Sequence, residues 1–322
     1  MILVLRALGV GDLATAVPAL RGLRAGLPDR ELVLAAPGWL APLADLVGVV
    51  DRVLPTDGLG RLAWPGQPPE VAVNLHGRGP QSHRMLAATR PRRLLAFANA
   101  EAGHPHGPVW DEDEHEVRRW CRLLHGYGLP ADPDDLALRR PAAAGVPAGV
   151  TVLHPGSKIR AKRWPAPRFA ALARALAGRG HRVVVTGSAD ERVLADRVAA
   201  AAGLPPEAVL AGRTGLAELA ALVADARLVV SGDTGVAHLA TGYGTASVVL
   251  FGPVPAARWG PPPDRPRHRV LGVTPGPGTE RDWAASGGVD THPTLAAVGV
   301  DEVLAAVDDA ERAVRVSGAV AA

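Results

Sequence analysis

Cysteine and aromatic residues are scarce in this sequence of 322 residues, which has a single cysteine, Cys121, and only 4% aromatic residues. One cysteine excludes an intramolecular disulfide framework and leaves no thiol pair for redox chemistry or metal binding. The apolar run at Met1 to Leu5 is interrupted by Arg6 and Asp12, well short of the roughly 20 residues that a membrane span needs. No basic segment precedes that run, so we expect a cytoplasmic protein.

Blocks of like charge are also missing. The 35 Lys and Arg residues are scattered among 32 Asp and Glu residues, for a formal net charge of +3. This pattern argues against a nucleic-acid-binding protein and is compatible with a small anionic ligand. Hydrophobic residues make up 48% of the chain, as in folded globular proteins. Because a single core stops growing near about 250 residues, the length favours two domains.

Short apolar runs alternate with helical patterns along the whole chain, which predicts doubly wound parallel sheets. Strands are predicted at Ile2 to Leu5, Glu31 to Ala36, Val49 to Leu54, Val71 to Leu75, Val150 to Leu153, Arg182 to Thr186, Leu228 to Ser231 and Ser247 to Phe251. A segment rich in Pro, Ala and Asp, Pro130 to Gly149, has the composition of a linker. The predicted fold is therefore α/β, with two Rossmann-like domains at 1–145 and 146–322.

Ligands of parallel sheets bind at the carboxyl ends of strands, so the segments that follow the predicted strands are the candidate sites. After the first strand, Gly9-Val-Gly11-Asp12 lets the backbone approach a ligand and places a carboxylate, a possible base, in the first turn of a helix. After the fifth, a loop collects a hydroxyl and four cations that suit a phosphate, namely Ser157, Lys158, Arg160, Lys162 and Arg163.

Two further segments in the second half fit the same ligand. Thr186-Gly187-Ser188 leaves room for a nucleoside, and either Asp190 or Glu191 could accept hydrogen bonds from ribose hydroxyls. Val229 to His238 runs from a strand through Asp233-Thr234-Gly235 into a helix, whose first N–H groups can bind an anion. The sequence does not decide between the two carboxylates.

Each segment has a purely structural explanation when taken singly. Asp12 could be a helix cap, Lys162 and Arg163 could be solvated charges, and His238 could be a buried helix histidine. Likewise, the acidic run Asp111 to Glu116 predicts the start of an amphipathic helix whose polar side is solvated. The four segments together favour function, because all follow strands and two of them supply groups suited to binding an anion.

In this order, the motifs resemble glycosyltransferase family 9, the heptosyltransferase-like enzymes of GT-B fold. The resemblance covers nearly the whole chain and is carried by Arg6 to Asp12 with Pro18 to Arg21, His154 to Ser157 with Arg163 to Pro165, Ala211 to Thr214, Ser231 to His238, and Phe251 to Pro253 with Arg258 to Gly260. It implies two domains that face a central cleft, an acceptor-binding first half and a donor-binding second half.

The resemblance also implies a reaction. Asp12 matches the family's catalytic base, and the product is inverted at the anomeric carbon. The implied donor is a nucleotide sugar such as ADP-heptose, bound without metal or other cofactor by Ser157, Lys162, Arg163, Thr186, Gly187, Thr214, Asp233, Thr234, Gly235, Val236 and His238. The acceptor, a glycan or small molecule, is expected at Gly11, His76, Arg78 and Gln81. Neither nucleic acid nor a membrane span is expected.

Two other functions remain as alternatives. Gly9-Val-Gly11 followed by Ala14 satisfies the G-x-G-x-x-A fingerprint of an NAD(P)-dependent oxidoreductase, although Ala36-Pro37-Gly38 ends the second strand without the acidic residue that binds ribose. A noncatalytic sugar-binding module is the other alternative. His104, His106, Asp111, Asp113 and His115 match no zinc-binding spacing, so no metal is predicted.

Overall fold

The computed structural model describes residues 1–60, 62–142, 145–272 and 291–320. The chain folds as two compact units, Met1–Arg139 and Arg140–Ala322. Each unit contains one five-stranded sheet, and the strand pairs within both sheets are parallel. The prediction of two parallel-sheet α/β domains is therefore confirmed. The predicted boundary at 145/146 adjoins residues 143–144, which lie outside the described residues, and it stays a prediction.

The first unit has the strand order β3-β2-β1-β4-β5. Its strands are β1 (Ile2–Leu5), β2 (Leu32–Ala36), β3 (Arg52–Pro55), β4 (Val71–Asn74) and β5 (Arg93–Leu95). Its helices are α1 (Val10–Thr15), α2 (Val17–Gly26), α3 (Ala41–Val47), α4 (Gln81–Ala87) and α5 (Glu116–Gly126), with 3₁₀ turns at Gly38–Leu40 and Ala100–Ala102. The three central strands are buried along their whole length, which explains their unbroken apolar sequences.

The second unit has the strand order β10-β9-β8-β6-β7. Its strands are β6 (Thr151–His154), β7 (Val183–Val185), β8 (Leu228–Gly232), β9 (Ser247–Leu250) and β10 (His268–Leu271). Its helices are α6 (Ala166–Gly178), α7 (Arg192–Ala202), α8 (Leu216–Ala224), α9 (Gly235–Tyr243), α10 (Ala256–Trp259), α11 (Pro293–Ala297) and α12 (Val300–Val320), with 3₁₀ turns at Arg160–Lys162, Ala189–Glu191 and Pro206–Ala208. Trp164 and Phe169 pack edge to face in its core, 5.0 Å apart.

The strand order of each sheet creates one topological switch point. In the first unit the chain moves outward from β1 through β2 to β3, and then returns to place β4 on the other side of β1. In the second unit, β8 returns to the other side of β6 in the same way. Loops leave such neighbouring strands in opposite directions and open a crevice at their carboxyl ends. The segments after β1, β4, β6 and β8 are therefore the positions at which this topology leads us to expect ligands.

Edge strands account for the main differences from the sequence prediction. β5 and β10 were not predicted, and β3 begins three residues later than the predicted Val49. Each of these strands lies at the edge of its sheet and has residues that are not fully buried. Partial exposure removes the continuous apolar run by which a central strand is recognised.

None of the helices in the described ranges combines the length and the apolar character needed to cross a bilayer.

The buried His268 predicts a pH dependence of stability. Its Nδ1 lies 2.9 Å from Ser247 Oγ, and burial, with Arg267 and Arg265 nearby, lowers its pKa from 6.5 to about 4. Between these values the unfolded chain binds a proton that the folded chain does not, so stability falls as the pH decreases. We expect His268→Asn, which does not titrate, to reduce this loss by on the order of 3 kcal/mol. Urea unfolding at several pH values measures it, and equal slopes for both proteins would contradict it.

Candidate active site

Asp12 follows β1 as a carboxylate that is held in place but still accessible. Its Oδ2 accepts a hydrogen bond from the Gly9 N–H at 3.0 Å, while its Oδ1 lies 3.5 Å from Arg6 Nη2. The side chain keeps 28% of its surface exposed. The bond to Gly9 is the kind a capping carboxylate makes at a helix start, so the structural explanation is correct for one oxygen. The other oxygen remains available to a ligand near Gly11.

Arg6 connects the ends of the two strands at this switch point. It is 1% exposed, and its Nε donates to Asp12 O at 2.9 Å while its Nη1 donates to Leu75 O. Its Nη2 lies 3.4 Å from Thr15 Oγ1, and the guanidinium carbon lies 4.7 Å from the centre of the Trp120 ring. A planar fork with five N–H donors suits this number of partners. Arg6 thereby fixes the turn that carries Asp12.

Glu116 provides the counter-charge of Arg6, a role that the sequence did not reveal. It is the first residue of α5 and is 5% exposed, so the expectation that this acidic end is solvated is wrong for Glu116. Its Oε1 accepts hydrogen bonds from Arg6 Nη2 and Trp120 Nε1, both at 2.9 Å, and its Oε2 accepts one from Arg119. Burial alone would raise the pKa of Glu116, but the attraction of Arg6 and Arg119 outweighs it and keeps the pKa below its usual value.

Asn74, the last residue of β4, holds the predicted acceptor loop. Its Oδ1 accepts a hydrogen bond from the His76 N–H at 3.0 Å. Its Nδ2 lies 3.0 Å from Gly77 O, 2.9 Å from Ser82 Oγ and 3.0 Å from His83 Nδ1. One buried amide group therefore fixes both the first turn of the loop and the helix that follows it.

Of the four predicted acceptor residues, His76 is the one grouped with the charges around Asp12. Burial lowers the pKa of His76, nearby Arg6 lowers it further, and Asp12 acts in the opposite direction. Its Nδ1 is buried and has no hydrogen-bond partner among the described residues. Arg78 is 60% exposed and lies 3.8 Å from Glu112, and Gln81 is exposed at the start of α4. The structure thus brings His76, but not Arg78 or Gln81, into the Asp12 cluster.

In the second unit, Lys162 and Asp233 meet at the carboxyl ends of β6 and β8. Lys162 Nζ lies 2.6 Å from Asp233 Oδ2, with side-chain exposures of 17% and 7%. The loop can approach because Gly232 has no side chain: a Cβ there would lie 2.9 Å from Lys162 O. Asp233 Oδ1 also lies 3.9 Å from His238 Nε2. The alternative explanation, that Lys162 is only a solvated charge, is wrong, since Lys162 forms a partly buried ion pair.

Thr234 and Gly235 form the start of α9 beside this ion pair. Thr234 precedes the helix in an extended conformation, and its buried Oγ1 has no hydrogen-bond partner in the described part of the chain. Val236 is 4% exposed and belongs to the core. His238 stacks edge to face on Trp259 with ring centres 5.9 Å apart. The helix start therefore offers N–H donors and a hydroxyl next to Lys162.

Arg163 and Ser157 organise the loop after β6. Arg163 Nε donates to Ser157 O at 2.8 Å, and its Nη2 lies 3.8 Å from Glu191 Oε1. Ser157 Oγ accepts a hydrogen bond from the Ile159 N–H at 3.3 Å. Glu191 lies directly over the backbone of Gly156, where any Cβ would collide with the carboxylate. These contacts fix the conformation of the loop after β6, and Arg163 takes part in them and is not merely a solvated charge.

The segment after β7 separates the two candidate ribose carboxylates. Asp190 is exposed, whereas Glu191 turns inward and its Oε2 accepts a hydrogen bond from the Ser188 N–H at 2.9 Å. Thr186 is 1% exposed and its Oγ1 lies 3.0 Å from His154 Nδ1. Burial lowers the pKa of His154 against the opposing effect of Glu191. Thr186 therefore supports His154 from below the surface.

Two other predicted donor residues lie at the ends of neighbouring elements. Gly187 is half-buried directly after Thr186, and Thr214 is half-buried just before the first residue of α8.

Within residues 1–60, 62–142, 145–272 and 291–320, no group of three or more His, Cys, Asp or Glu side chains could hold a metal ion. His104 instead hydrogen-bonds Tyr127 at 3.0 Å.

Comparison with known proteins gives matches along most of the chain. Residues 108–281, a little more than half of it, match glycosyltransferase family 9 (heptosyltransferase). A segment of 120 residues is 34% identical to lipopolysaccharide heptosyltransferase 3 of Escherichia coli, covering 37% of this chain and 35% of that protein. This segment thus spans about a third of that relative's length.

Two longer matches extend the similarity. Over 291 residues the chain is 25% identical to lipopolysaccharide heptosyltransferase 2 of Escherichia coli strain K12, covering 78% of this chain and 82% of that protein. The solved structure of the E. coli heptosyltransferase WaaC with ADP matches with a TM-score of 0.71 at 17% identity, covering 96% of this chain and 99% of the other. At that identity the structural match shows the fold.

Proposed function

Because the chain belongs to glycosyltransferase family 9 and is thus a glycosyltransferase, we propose that it transfers a heptose-like sugar from a nucleoside diphosphate donor to an acceptor hydroxyl. The proposed donor is ADP-heptose. The observation that carries the proposal is the complementary chemistry at the two switch points. The first unit presents the accessible carboxylate of Asp12, and the second presents Lys162 beside the start of α9.

The diphosphate of the donor is proposed to bind at Lys162 and the first residues of α9. Thr234 Oγ1 is buried without a partner there, and Gly235 and Val236 contribute N–H groups that no earlier helical turn can satisfy. As the sugar is transferred, the nucleoside diphosphate leaves with a growing negative charge. One preorganised donor stabilises such a charge by about 2.7–4 kcal/mol. These groups act in place of a divalent cation, so the proposed reaction is metal-independent.

The nucleoside is proposed to bind beside Gly187, Thr214 and Glu191. Glu191 is favoured over Asp190 for the ribose because it faces the loop after β6, where Ser157 and Arg163 lie, while Asp190 points to solvent. The solved structure of WaaC is described with ADP, which favours adenine as the base of the nucleotide. Thr186 supports His154 beneath this surface.

The acceptor is proposed to bind at Gly11 and His76, with Arg78 further out on the loop after β4 and Gln81 at the start of α4. Asp12 Oδ1 accepts the proton of the acceptor hydroxyl as its oxygen forms a bond to the anomeric carbon. The bond from that carbon to the diphosphate oxygen breaks on the opposite face, so the product is inverted. The acceptor is a glycan or a small molecule with a free hydroxyl.

The oxidoreductase alternative has little support at the Gly9 turn. The Gly9 N–H already donates its hydrogen bond to Asp12 Oδ2. A dinucleotide pyrophosphate would therefore meet a carboxylate at the position where it needs a free hydrogen-bond donor. The strand β2 ends at Ala36 without an acidic residue for the ribose.

Nucleotide binding tests the donor site directly. We expect ADP to raise the melting temperature more than UDP, GDP or dTDP, and to do so equally in the presence of EDTA. A ligand at about 100 times its dissociation constant stabilises the folded protein by about 2.7 kcal/mol. A thermal-shift titration measures this. Stabilisation by another nucleotide alone would correct the donor, and no stabilisation by any of them would refute the nucleotide site.

A further inference from the structure

A group of charged side chains lies buried behind Asp12. Arg6 is 1% exposed, Glu116 5% and Arg119 2%, and Trp120, which packs against them, is 1% exposed. Burying charges costs several kcal/mol per ion unless each is paired and fully hydrogen-bonded. Such a group is retained at a cost to stability, which points to a use beyond holding the fold together.

The partners of Arg6 divide into two sets that face in different directions. Towards the surface, Nε donates to Asp12 O and Nη2 lies 3.5 Å from Asp12 Oδ1. Towards the interior, Nη2 donates to Glu116 Oε1 at 2.9 Å, and the guanidinium stacks on Trp120. The same nitrogen thus contacts both carboxylates. A change at Glu116 would therefore alter the position of Nη2 and, with it, the contact between Arg6 and Asp12.

Glu116 is itself held by groups that do not touch Asp12. Trp120 Nε1 donates to its Oε1 at 2.9 Å and Arg119 donates to its Oε2. Arg119 in turn donates to three backbone carbonyls, Asp111 O at 2.9 Å, Glu112 O at 3.1 Å and Glu114 O at 2.8 Å. The carboxylate of Glu116 is therefore fixed on the side away from the surface, and it can hold the Arg6 guanidinium in one orientation.

The charges in this group balance only when Asp12 is included. Arg6 and Arg119 carry two positive charges, and Glu116 and Asp12 carry two negative charges. Without Glu116, Asp12 would be the sole counter-charge of Arg6, and its Oδ1 would be drawn into a closer ion pair with Nη2. An oxygen held in that pair is less well placed to receive a proton from the acceptor hydroxyl.

We propose that Glu116 and Arg6 are a positioning pair for Asp12, in which Glu116 orients the guanidinium and shares its charge so that Asp12 stays aligned and its Oδ1 stays free to accept a proton. This inference rests on the proposed function, because it assumes that Asp12 is the base. Neither Glu116 nor Arg6 touches the substrates in this proposal.

The test is Glu116→Gln, which keeps the shape of the side chain and removes its charge. We expect kcat to fall about tenfold, a typical coupling between contacting residues, with KM for donor and acceptor unchanged. The split between kcat and KM distinguishes a positioning role from a general loss of structure.

Glu114→Gln is the matched control. Glu114 pairs with Arg122 through both carboxylate oxygens and does not contact Arg6, so the variant breaks an ion pair in the same segment and should leave kcat unchanged. An unchanged kcat in Glu116→Gln would overturn the proposal, and so would equal losses in the two variants. If Glu116→Gln does not fold, Glu116→Asp is tested instead, because it retains the charge but moves the carboxylate away from Arg6. We expect kcat to fall at constant KM, and an unchanged kcat would overturn the proposal.

A double-mutant cycle tests whether the effect passes through Arg6. In an Arg6→Met background, Glu116→Gln should cause no further loss of kcat. Independent, multiplying losses would overturn the proposal. Asp12→Asn separates this inference from the function on which it rests. If Asp12→Asn keeps full turnover, the proposed base is wrong; if it is inactive and Glu116→Gln is fully active, only the positioning pair is wrong.

Discussion

Replacing Asp12 with asparagine is expected to lower kcat by about 10²–10⁴-fold, the contribution of a positioned general base. Asparagine keeps an oxygen for the Gly9 N–H and nearly the same volume, but its amide cannot accept a proton from the acceptor hydroxyl. Donor binding should be unchanged, because the residues proposed to hold the nucleotide all lie in the second unit, Arg140–Ala322. Initial rates under saturating donor and acceptor measure the loss.

Two controls make the Asp12 result interpretable. The thermal shift caused by ADP should be the same in Asp12→Asn as in the parent protein, which shows that the second unit is intact. A noncatalytic sugar-binding module would bind donor in both proteins and turn over in neither. Full turnover of Asp12→Asn would mean that another group takes the proton, and would remove the proposed mechanism while leaving the family membership untouched.

Lys162→Met is expected to weaken ADP binding by about 10–150-fold, since a hydrogen bond to a charged group contributes roughly 1.5–3 kcal/mol. Methionine retains the length of the side chain and removes the ammonium that lies 2.6 Å from Asp233. The loss should be at the upper end of this range, because Asp233 is 8% exposed and its uncompensated carboxylate would repel the diphosphate. Isothermal titration with ADP measures the change in Kd.

Lys158→Met is the matched control for Lys162. Lys158 is an exposed lysine in the same loop, so its replacement removes the same charge without leaving Asp233 unpaired. We expect at most a few-fold loss of affinity, the effect of a solvent-exposed charge. Equal losses in the two variants would show that the loop acts through its total charge, and would remove the specific role proposed for Lys162.

Local sequence was enough to predict most of the central strands and the turns that follow them. β1 was predicted with its observed bounds, and β8 and β9 were predicted with their observed first residues, Leu228 and Ser247. Buried strands of a parallel sheet are unbroken apolar runs, and the glycines behind β1 and β8 mark where the backbone turns. Asp12 and Asp233 could be selected for this reason, since each comes directly after such a strand.

The candidate site was harder to predict where the role of a residue is to hold another side chain in position. Thr186 follows a strand as a ligand-binding residue would, yet it is 1% exposed and supports His154. Arg78 and Gln81 are polar residues after β4, but both remain exposed, while His76 is half-buried and interacts electrostatically with Arg6 and Asp12. Position after a strand identifies the loop, and packing selects which of its side chains face inward.

By itself, the sequence determined the α/β class, the repeated strand and helix pattern in two halves, and the turns after strands that are proposed to bind ligands, because all of these depend on short-range patterns of apolar residues and glycines. Only the tertiary structure decided the strand order and the ion pairs. Arg6 and Glu116 are 110 residues apart, and Lys162 and Asp233 are 71 apart. Charges at such separations pair only because the folded sheets bring their loops together, and no local pattern records which loops will meet.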